Sequence, residues 1–262
     1  MKCFQDKVAI VTGGATLIGA EIVRQFHRNG TRVVVADIDG RNGEALQREF
    51  ADGVRFVQTD LTQDEQLKRC VDAAVTAYGG IDFIVNVACS YVDDGLASDR
   101  QQWSQALGVN LVGGVMLLRA AYPHMVRRGG GVIVNFGSTS AQVAQAGRWL
   151  YPASKAAVLQ LTRSQALDLA KDNIRVNSVS PGWTWSGVLD QVSGGDKDRT
   201  NRVAAPFHML GRVGEPAEVA AAVVFLCSDQ ASFITGANLA VDGGYGAMGP
   251  EQGATPIAAL MA

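Results

Sequence analysis

Short runs of β-branched and aliphatic residues alternate along this chain with longer segments of helical periodicity. Residues 8–11 (VAIV) form one such run, and residues 18–27 after it place Ile22, Val23 and Phe26 on one helical face. Strands that are apolar throughout have to be covered on both faces, and helices between the strands supply that cover. The pattern therefore predicts an α/β protein with a doubly wound, mainly parallel sheet and helices on both faces.

The same alternation continues along the whole chain and predicts about seven strands. The predicted strands cover residues 8–11, 32–36, 54–58, 81–85, 131–136, 174–179 and 238–241. The predicted helices cover residues 18–27, 41–51, 63–78, 99–127, 151–171 and 216–227. No linker or change of composition divides the sequence, so we expect a single domain over residues 1–262.

Residues 183–206 form the longest stretch without a clear hydrophobic period. A long irregular segment in a compact domain is often an active-site lid, which we expect over residues 183–209. The alternative interpretation is a surface loop with a solvated helix. Residues 248–262 are interpreted as a C-terminal tail.

Composition and charge set aside several classes of partner. The 23 basic and 25 acidic side chains leave a net charge of -2, so no nucleic-acid partner is expected. No run approaches the roughly 18 apolar residues of a membrane span, and no membrane partner is expected. The four scattered cysteines form no CxxC pair and indicate reduced thiols in a cytoplasmic protein. The three histidines lie far apart, so no metal site is expected.

Glycine is in surplus, with 30 among 262 residues, which indicates tight turns or close approaches between backbone and ligand. The first predicted strand runs into the turn TGGATLIG, residues 12–19, which opens a helix. Such a turn lets the backbone approach a pyrophosphate, and the helix N-terminus favours its negative charge. Turns of this kind also occur for packing alone.

Asp37 ends the second predicted strand, where a carboxylate can accept hydrogen bonds from both hydroxyls of an adenosine ribose. It would repel a 2′-phosphate, and neither Ala15, Thr16 nor Ile38 offers a cation nearby. These residues favour NAD(H) over NADP(H). A turn or helix-capping role for Asp37 is the alternative.

Asp60 and Leu61 follow the third predicted strand and are expected at the adenine edge of the cofactor. A capping role for Asp60 or Thr62 ahead of the next helix is the other interpretation. The two interpretations do not exclude each other.

Tyr151 and Lys155 lie one helical turn apart, which puts both side chains on one face of a predicted helix. A tyrosine normally loses its proton at about pH 10, and a lysine ammonium and a positive nicotinamide beside it would lower that pKa. Tyr151 could then exchange a proton with an alcohol or carbonyl oxygen near neutral pH. Ser138 directly follows the fifth predicted strand, at the sheet edge where ligands bind, and is placed to hydrogen-bond the reacting oxygen.

The order and spacing of these motifs resemble the short-chain dehydrogenase/reductase family, in its compact single-domain branch with a Rossmann-type fold. The resemblance covers residues 7–245. It implies that Tyr151 is the general acid/base, that Lys155 holds the nicotinamide ribose and tunes Tyr151, and that Ser138 orients the substrate oxygen. It also implies that Asn110 fixes a water that links Lys155 to solvent.

The resemblance further implies a set of residues around an NAD cofactor. Residues 181–186 would face the nicotinamide, with Thr184 contacting the carboxamide through its backbone, and residues 242–244 match the family's closing turn. The expected cofactor-binding residues are Gly13, Thr16, Leu17, Ile18, Gly19, Asp37, Asp60, Leu61, Asn86, Ala88, Tyr151, Lys155, Pro181, Gly182, Thr184 and Ser186.

Two residues depart from the family's pattern. Leu17 stands where the pattern usually has glycine, beside the phosphates, so it must hold a helical φ and point its side chain away. Cys89 replaces the glycine of the Asn-Asn-Ala-Gly motif and is interpreted as a small buried residue rather than a reactive thiol. A positive φ at Cys89 would carry strain. Neither departure removes a chemical group that the reaction needs.

The sequence therefore predicts an NAD(H)-dependent oxidoreductase that interconverts a secondary alcohol and a ketone by hydride transfer. A 3-ketoacyl reductase is the runner-up, and a catalytically silent cofactor-binding sensor is the alternative without turnover. An epimerase or dehydratase of the superfamily's longer branch is disfavoured, because those enzymes usually carry an extra substrate lobe.

Aromatic residues flank the expected cleft and favour a cyclic or aromatic small-molecule substrate. The expected substrate contacts are Ser138, Ser140, Gln145, Trp149, Trp183 and Trp185. Packing of the lid and of subunit contacts is the alternative role for the aromatic residues. Arg148 is the best candidate to hold a substrate carboxylate. The resemblance and the apolar surface of the long helices together predict a homotetramer.

Overall fold

Seven parallel strands form one sheet in the order β3-β2-β1-β4-β5-β6-β7. The computed structural model describes residues 4–249. The strands are β1 (Val8–Thr12), β2 (Arg32–Asp37), β3 (Val54–Gln58), β4 (Phe83–Asn86), β5 (Gly131–Phe136), β6 (Ile174–Pro181) and β7 (Asn238–Val241). The chain starts at the middle of the sheet, builds one half outwards, and returns to build the other. The predicted doubly wound parallel sheet is confirmed.

Helices connect the strands and cover the sheet. They are α1 (Leu17–Arg28), α2 (Gly40–Arg48), α3 (Asp64–Tyr78), α4 (Arg100–Leu107), α5 (Gly113–Arg127), α6 (Leu150–Leu169), α7 (Gly187–Ser193), α8 (Lys197–Ala204) and α9 (Pro216–Cys227). The helix predicted over residues 99–127 is present as α4 and α5, joined by a π-helical turn at Gly108–Val112. The stretch without a clear period contains two short helices, α7 and α8, where the alternative interpretation had a surface loop with a solvated helix. Of the predicted tail, residues 250–262 lie outside the described part of the chain.

Successive residues of the central strands point to opposite faces of the sheet and meet different helices. Ala9 and Val11 of β1 belong to the core that includes Phe26 of α1 and Leu226 of α9. Ile10, between them, belongs to the second core, under α3 and α5. Both faces are therefore buried, which is the reason that these strands carry no polar alternation.

The helical stretch Arg100–Arg127 is long and apolar enough, by length and composition, to cross a membrane. In this protein Leu117, Ala121 and Met125 of that stretch are buried in the core beneath the sheet. Core helices of soluble proteins pass the same test, so the property alone is a weak indication of a membrane segment.

Asp82 is a buried carboxylate that joins three segments at the start of β4. It accepts hydrogen bonds from the Val8 backbone N–H at 2.9 Å, from Lys7 Nζ at 3.1 Å and from Arg128 Nη2 at 2.8 Å. We expect Asp82→Ala to lower the free energy of unfolding by about 3 kcal/mol, because a buried N–H and two cations lose their acceptor. Urea unfolding measures the change.

Asp168 provides the matched control, since it is an exposed aspartate on α6. Its replacement by alanine should change the free energy of unfolding by no more than about 0.5 kcal/mol. Equal losses in the two variants would contradict the role assigned to Asp82.

Candidate active site

Four polar side chains that the sequence singled out are buried near the carboxyl ends of the central strands. Ser138 follows β5, Tyr151 and Lys155 lie in the first two turns of α6, and Asn110 lies in the π-helical turn. Ligands in open parallel sheets bind outside this edge. The structure brings Ser138, Tyr151 and Lys155 together: Lys155 Nζ lies over the Tyr151 ring, and Ser138 is close enough to lower the pKa of the Tyr151 phenol.

Lys155 is a buried cation whose ammonium group is held beside the Tyr151 ring. Its Nζ donates a hydrogen bond to the Phe136 carbonyl at 2.8 Å and lies 5.5 Å from the centre of the Tyr151 ring. The carbonyl comes from the last residue of β5, so the sheet itself fixes the position of the charge. Two ammonium hydrogens remain for other acceptors.

Burial raises the pKa of the Tyr151 phenol to about 12, and the nearby Cys89 thiol acts in the same direction. Hydrogen bonds from Ser138 and Tyr91 and the charge of Arg148 oppose this shift. The lowering predicted from Lys155 therefore does not prevail in the protein alone, because desolvation disfavours the phenolate more than its neighbours favour it. A positively charged group bound beside Tyr151 would lower the pKa of the phenol and so oppose the effect of desolvation.

Asn110 uses its side chain to hold the loop that follows β4. Its Oδ1 accepts the Ser90 N–H at 2.6 Å, and its Nδ2 donates to the Ser90 carbonyl and to Ser154 Oγ, both at 3.0 Å. A cavity of about 20 Å³ beside it is lined by Asn86, Asn110 and Phe136, among others. Asn86 Oδ1 is buried there without a hydrogen-bond partner. The cavity is large enough for one water molecule, which would satisfy this oxygen.

Tyr91 and Arg148 both lie against the Tyr151 ring. Arg148 is a near neighbour of Tyr151 in the sequence, whereas local spacing does not reveal the contact with Tyr91. The Tyr91 ring stacks on the Tyr151 ring with 5.2 Å between centres and 19° between planes. The Arg148 guanidinium carbon lies 4.8 Å from the centre of the same ring. Arg148, expected as an anchor for a substrate carboxylate, is therefore engaged with Tyr151.

Cys89 has an ordinary backbone conformation. Among the described residues other than glycine, only Asp6 and Asn173 have a positive φ, so Cys89 carries no strain of that kind. Burial raises the pKa of the Cys89 thiol, although Lys155 opposes the shift, so the thiol is protonated at neutral pH.

Ser140 and Gln145 extend the polar surface from Ser138. Ser138 Oγ donates to Ser140 Oγ at 3.1 Å, and Ser140 Oγ donates to Gln145 Oε1 at 2.9 Å. Trp149 directly precedes α6, and its side chain is half exposed. The sequence grouped these three residues as substrate contacts, and the structure links Ser140 directly to Ser138 and links Gln145 to it through Ser140.

The other two predicted substrate contacts pack within residues 183–209, the segment that was expected to form a lid. The Trp183 ring stacks on Phe207 at 6.0 Å, and the Trp185 ring lies 5.7 Å from Lys197 Nζ. His208 Nε2 accepts a hydrogen bond from the backbone N–H of Trp183 at 3.2 Å. These contacts fit the alternative role, in which the aromatic residues hold the lid.

The turn after β1 leaves bare backbone next to the sheet. Gly13 has a φ of +65°, and a Cβ there would lie 2.6 Å from the Ala88 nitrogen, so no side chain fits. Thr16 caps α1 by accepting the Gly19 N–H at 3.2 Å. Leu17 is the first residue of α1, and its side chain is exposed. This arrangement fits a diphosphate, because a bare turn meets the N-terminus of a helix.

Asp37 is buried beside this turn and supports it. Its Oδ2 accepts the Ala15 N–H at 2.9 Å and its Oδ1 accepts the Asp39 N–H at 3.0 Å, which leaves one lone pair on each oxygen. Asp60 Oδ1 accepts from the backbone and hydroxyl of Thr62 at 2.9 and 2.8 Å. Both carboxylates therefore stabilise local turns, as the alternative interpretation of each residue expected.

A pocket next to these carboxylates lies where the adenosine end of a dinucleotide was expected. It is lined by Ile38, Gln58, Asp60, Gln66 and Arg69. Arg69 is a cation that the sequence did not place here, because no local pattern on α3 distinguishes it from a solvated arginine.

Most of the remaining predicted cofactor residues lie at or after the ends of β4 and β6, whereas Ile18 and Leu61 lie near the first three strands. Asn86 Nδ2 donates to Asn135 Oδ1 at 2.9 Å, and the Ala88 N–H bonds Thr12 Oγ1 at 3.3 Å. Ile18 is in the first turn of α1, Leu61 is buried, Pro181 ends β6, and Gly182 and Thr184 follow it. Ser186 caps α7 by accepting the Leu189 N–H at 3.4 Å.

A glycine-bearing turn at the centre of a doubly wound sheet, with serine, tyrosine and lysine at the strand ends, defines a class of dinucleotide-dependent oxidoreductases. A family model described as Enoyl-(Acyl carrier protein) reductase matches residues 13–246. The chain belongs to the short-chain dehydrogenase/reductase family. It is an enzyme that acts on CH–OH groups, and its relatives use nicotinamide cofactors.

Several relatives resemble the chain over most of its length. An uncharacterized oxidoreductase of Thermotoga maritima is 39% identical over 92% of this chain and 96% of its own. L-fucose dehydrogenase of Mus musculus is 38% identical over 92% and 89%. A 3-alpha-(or 20-beta)-hydroxysteroid dehydrogenase of Mycobacterium bovis is 40% identical over 91% and 88%. The crystal structure of gox2181 superposes with a TM-score of 0.86 at 32% identity, covering 94% of this chain and 98% of that one.

Proposed function

We propose that the protein is an NAD(H)-dependent dehydrogenase that interconverts a secondary alcohol and its ketone, with Tyr151 as general acid/base. The observation that carries the proposal is the buried group of Ser138, Tyr151 and Lys155 at the carboxyl edge of the sheet. Each member has a chemical role that the reaction requires.

NAD would supply the hydride acceptor at its nicotinamide ring when bound. The turn at Gly13 and the N-terminus of α1 would hold the diphosphate, and Asp37 would accept from the adenosine ribose. The free lone pairs of Asp37 support this role, and its charge disfavours a 2′-phosphate. The NAD preference is thus our proposal, with Arg69 as the cation that acts against it.

Side chains of the protein would transfer the proton of the substrate hydroxyl. In alcohol oxidation the Tyr151 oxygen takes the hydroxyl proton of the substrate, and in ketone reduction it returns that proton. Ser138 would turn its hydroxyl hydrogen from Ser140 Oγ to the substrate oxygen. Lys155 stabilises the phenolate and binds the cofactor ribose through its remaining ammonium hydrogens. The cavity beside Asn110 would hold a water that passes protons between the site and solvent.

We propose a cyclic secondary alcohol as substrate. The half-exposed rings of Tyr91 and Trp149 belong to segments that meet Tyr151, and they offer apolar faces to a ring-shaped molecule. The names of the fucose and hydroxysteroid relatives also denote enzymes of cyclic alcohols. A 3-ketoacyl substrate would call for a free cation to anchor an acyl carrier, whereas Arg148 is occupied by Tyr151.

A substrate panel tests this proposal. The purified protein is assayed for NADH and NADPH formation with L-fucose, a 3α-hydroxysteroid, cyclohexanol and a 3-hydroxyacyl thioester. We expect turnover of one or more of the cyclic alcohols and a higher kcat/KM with NAD⁺ than with NADP⁺. Turnover of the thioester alone, with NADP⁺, would favour the ketoacyl reductase instead.

The organisation of the protein is also part of the proposal. One catalytic domain would span residues 1–262, residues 183–209 would close over the substrate as a lid, and the enzyme would be a cytoplasmic homotetramer. Exposed apolar side chains on the long helices, including Val126 on α5 and Leu167 on α6, support association. Light scattering during size-exclusion chromatography measures the assembly, and a monomer would contradict the tetramer.

A further inference from the structure

Helix α6 carries the reacting tyrosine but does not cap its own N-terminus. The N-cap residue, Trp149, has no side-chain acceptor for the free N–H groups of the first turn. The acceptor comes instead from Asp93, in the loop that follows β4. Asp93 Oδ1 accepts the Trp149 N–H and Oδ2 accepts the Tyr151 N–H, both at 2.9 Å.

The Asp93 carboxylate is almost fully shielded from solvent, with 1% of its side chain exposed. It also accepts the Gly95 N–H at 3.1 Å, and Arg148 Nε lies 4.0 Å from Oδ2. Burial raises the pKa of Asp93, but hydrogen bonds from backbone N–H groups, including those of Trp149 and Tyr151, outweigh burial, so its pKa is lowered. The group is therefore a buried anion at the positive end of a helix, held by directed hydrogen bonds.

This anion joins the two segments that surround the Tyr151 phenol. The Tyr151 N–H is one of its donors, so the carboxylate fixes the backbone of the residue that carries the phenol. The loop that contains Asp93 also carries Tyr91, whose ring stacks on Tyr151. At Gly95 a Cβ would lie 3.0 Å from the Gly147 carbonyl, so the loop and the segment before α6 are in close contact.

We propose that Asp93 is a positioning residue for the reaction, whose buried carboxylate holds the first turn of α6, and with it the Tyr151 phenol, in the place that proton transfer requires. The inference rests on the proposed role of Tyr151. Asp93 acts through Tyr151 and through Arg148, which its charge keeps over the Tyr151 ring. A misplacement of the phenol by about 1 Å would be enough to reduce the rate about a hundredfold.

The test replaces Asp93 by asparagine, which keeps one acceptor oxygen and presents an NH2 group to the other N–H. We expect kcat to fall about a hundredfold while the dissociation constant of NADH, from fluorescence titration, is unchanged. The primary deuterium isotope effect on a labelled alcohol should rise towards its intrinsic value, because chemistry becomes rate-limiting. Asp93→Ser, whose hydroxyl accepts one N–H, serves in its place if the asparagine variant does not fold.

Asp99 supplies the matched control for a purely structural effect. It caps α4 through a capping box, accepting the Gln102 N–H at 2.8 Å. Asp99→Ala should lower Tm as Asp93→Asn does but leave kcat and the isotope effect unchanged. Equal losses of kcat in the two variants would overturn the inference, because capping alone would then explain them.

The double variant separates this inference from the proposed function. In the Tyr151→Phe background, Asp93→Asn should cause no further loss of kcat, since a residue that acts through the phenol has nothing left to position. Additive losses would overturn the inference. A loss of turnover in Tyr151→Phe with full turnover in Asp93→Asn would contradict the role of Asp93 but not the proposed function. Full turnover in Tyr151→Phe would contradict both the proposed function and the role of Asp93.

Discussion

Replacing Tyr151 by phenylalanine should lower kcat for alcohol oxidation by about a thousandfold, the magnitude of a positioned general acid/base. The phenylalanine ring keeps the contacts with Tyr91 and Arg148, so the packing around the ring should not change. Stopped-flow measurement of NADH formation gives the rate of the chemical step. Because only the hydroxyl is removed, the loss measures proton transfer rather than folding.

The wild-type enzyme should show opposite pH dependences in its two directions. In the proposed mechanism oxidation needs the phenolate of Tyr151, so its rate should rise with pH, whereas reduction needs the phenol and should slow as pH rises. Burial raises the pKa of this phenol to about 12 in the protein alone, so the rise in oxidation should extend to alkaline pH unless the bound cofactor lowers that pKa. Tyr151→Phe should flatten both profiles.

Tyr122→Phe is the control for Tyr151→Phe. The Tyr122 hydroxyl also has a partner, since it donates to Asp172 Oδ2 at 2.7 Å, but Asp172 lies just before β6, so the pair lies away from the carboxyl ends of the strands. Its removal should leave kcat and both pH profiles unchanged. A Tyr151→Phe variant with wild-type kcat would contradict the mechanism.

Replacing Asp37 by alanine should reduce the preference for NAD⁺ over NADP⁺, as the ratio of kcat/KM values, by about a hundredfold. The carboxylate would form charge-assisted hydrogen bonds with the ribose, each contributing about 1.5–3 kcal/mol, and its charge repels a 2′-phosphate. Both effects are lost together in the variant. Steady-state kinetics with each cofactor at saturating alcohol measure the ratio.

The neighbouring Asp39 gives a control for the loss of charge. It caps α2 by accepting the Asn42 N–H at 3.0 Å, and its side chain is exposed. Asp39→Ala should lower stability slightly and keep the cofactor ratio. An unchanged ratio in Asp37→Ala would show that Asp37 only supports the turn through Ala15, the alternative that its hydrogen bonds also allow.

The fold was predictable because its strongest determinants are local. Residues 216–227 and 238–241 form the predicted helix and strand with the predicted bounds. Strand β4 begins later than predicted, at Phe83, because Ile81 is buried but precedes the parallel ladder, in which Phe83 is the first residue paired with β1. Apolar patterns report burial, and burial extends beyond the hydrogen-bonded part of a strand.

Helix α7 shows a local signal that hydrophobic periodicity overlooked. Ser186 caps its start, and Gly194 ends it in the left-handed conformation with a φ of +66°. Both residue types are typical helix-end signals, but none of the residues within α7 is buried, so no apolar period marks it. For α7 the residues at the helix ends indicate the helix, whereas its faces carry no apolar pattern that would do so.

The residues of the candidate site also differ in how far local sequence predicts them. Ser138, Tyr151 and Lys155 could be placed from sequence because each lies at a fixed distance from a strand end or on one helix face. The contacts of Asp93 and Tyr91 with Tyr151 could not be predicted, because they form only through the packing of a loop after β4 against α6. No spacing rule connects residues so far apart in the chain, and only the folded geometry shows their contact.

Because of the π-helical turn at Gly108–Val112, the orientation of Asn110 depends on the number of residues before α5. A π turn holds one residue more than the α-helical turn it replaces, so deleting a single residue there would regularise the helix. The residues on its N-terminal side would then rotate by about 100° relative to α5, one step of an α-helix. Asn110 would turn away from Ser90 and Ser154, and the loop after β4 would lose its anchor. This helix therefore tolerates changes of residue type more readily than a change of residue number.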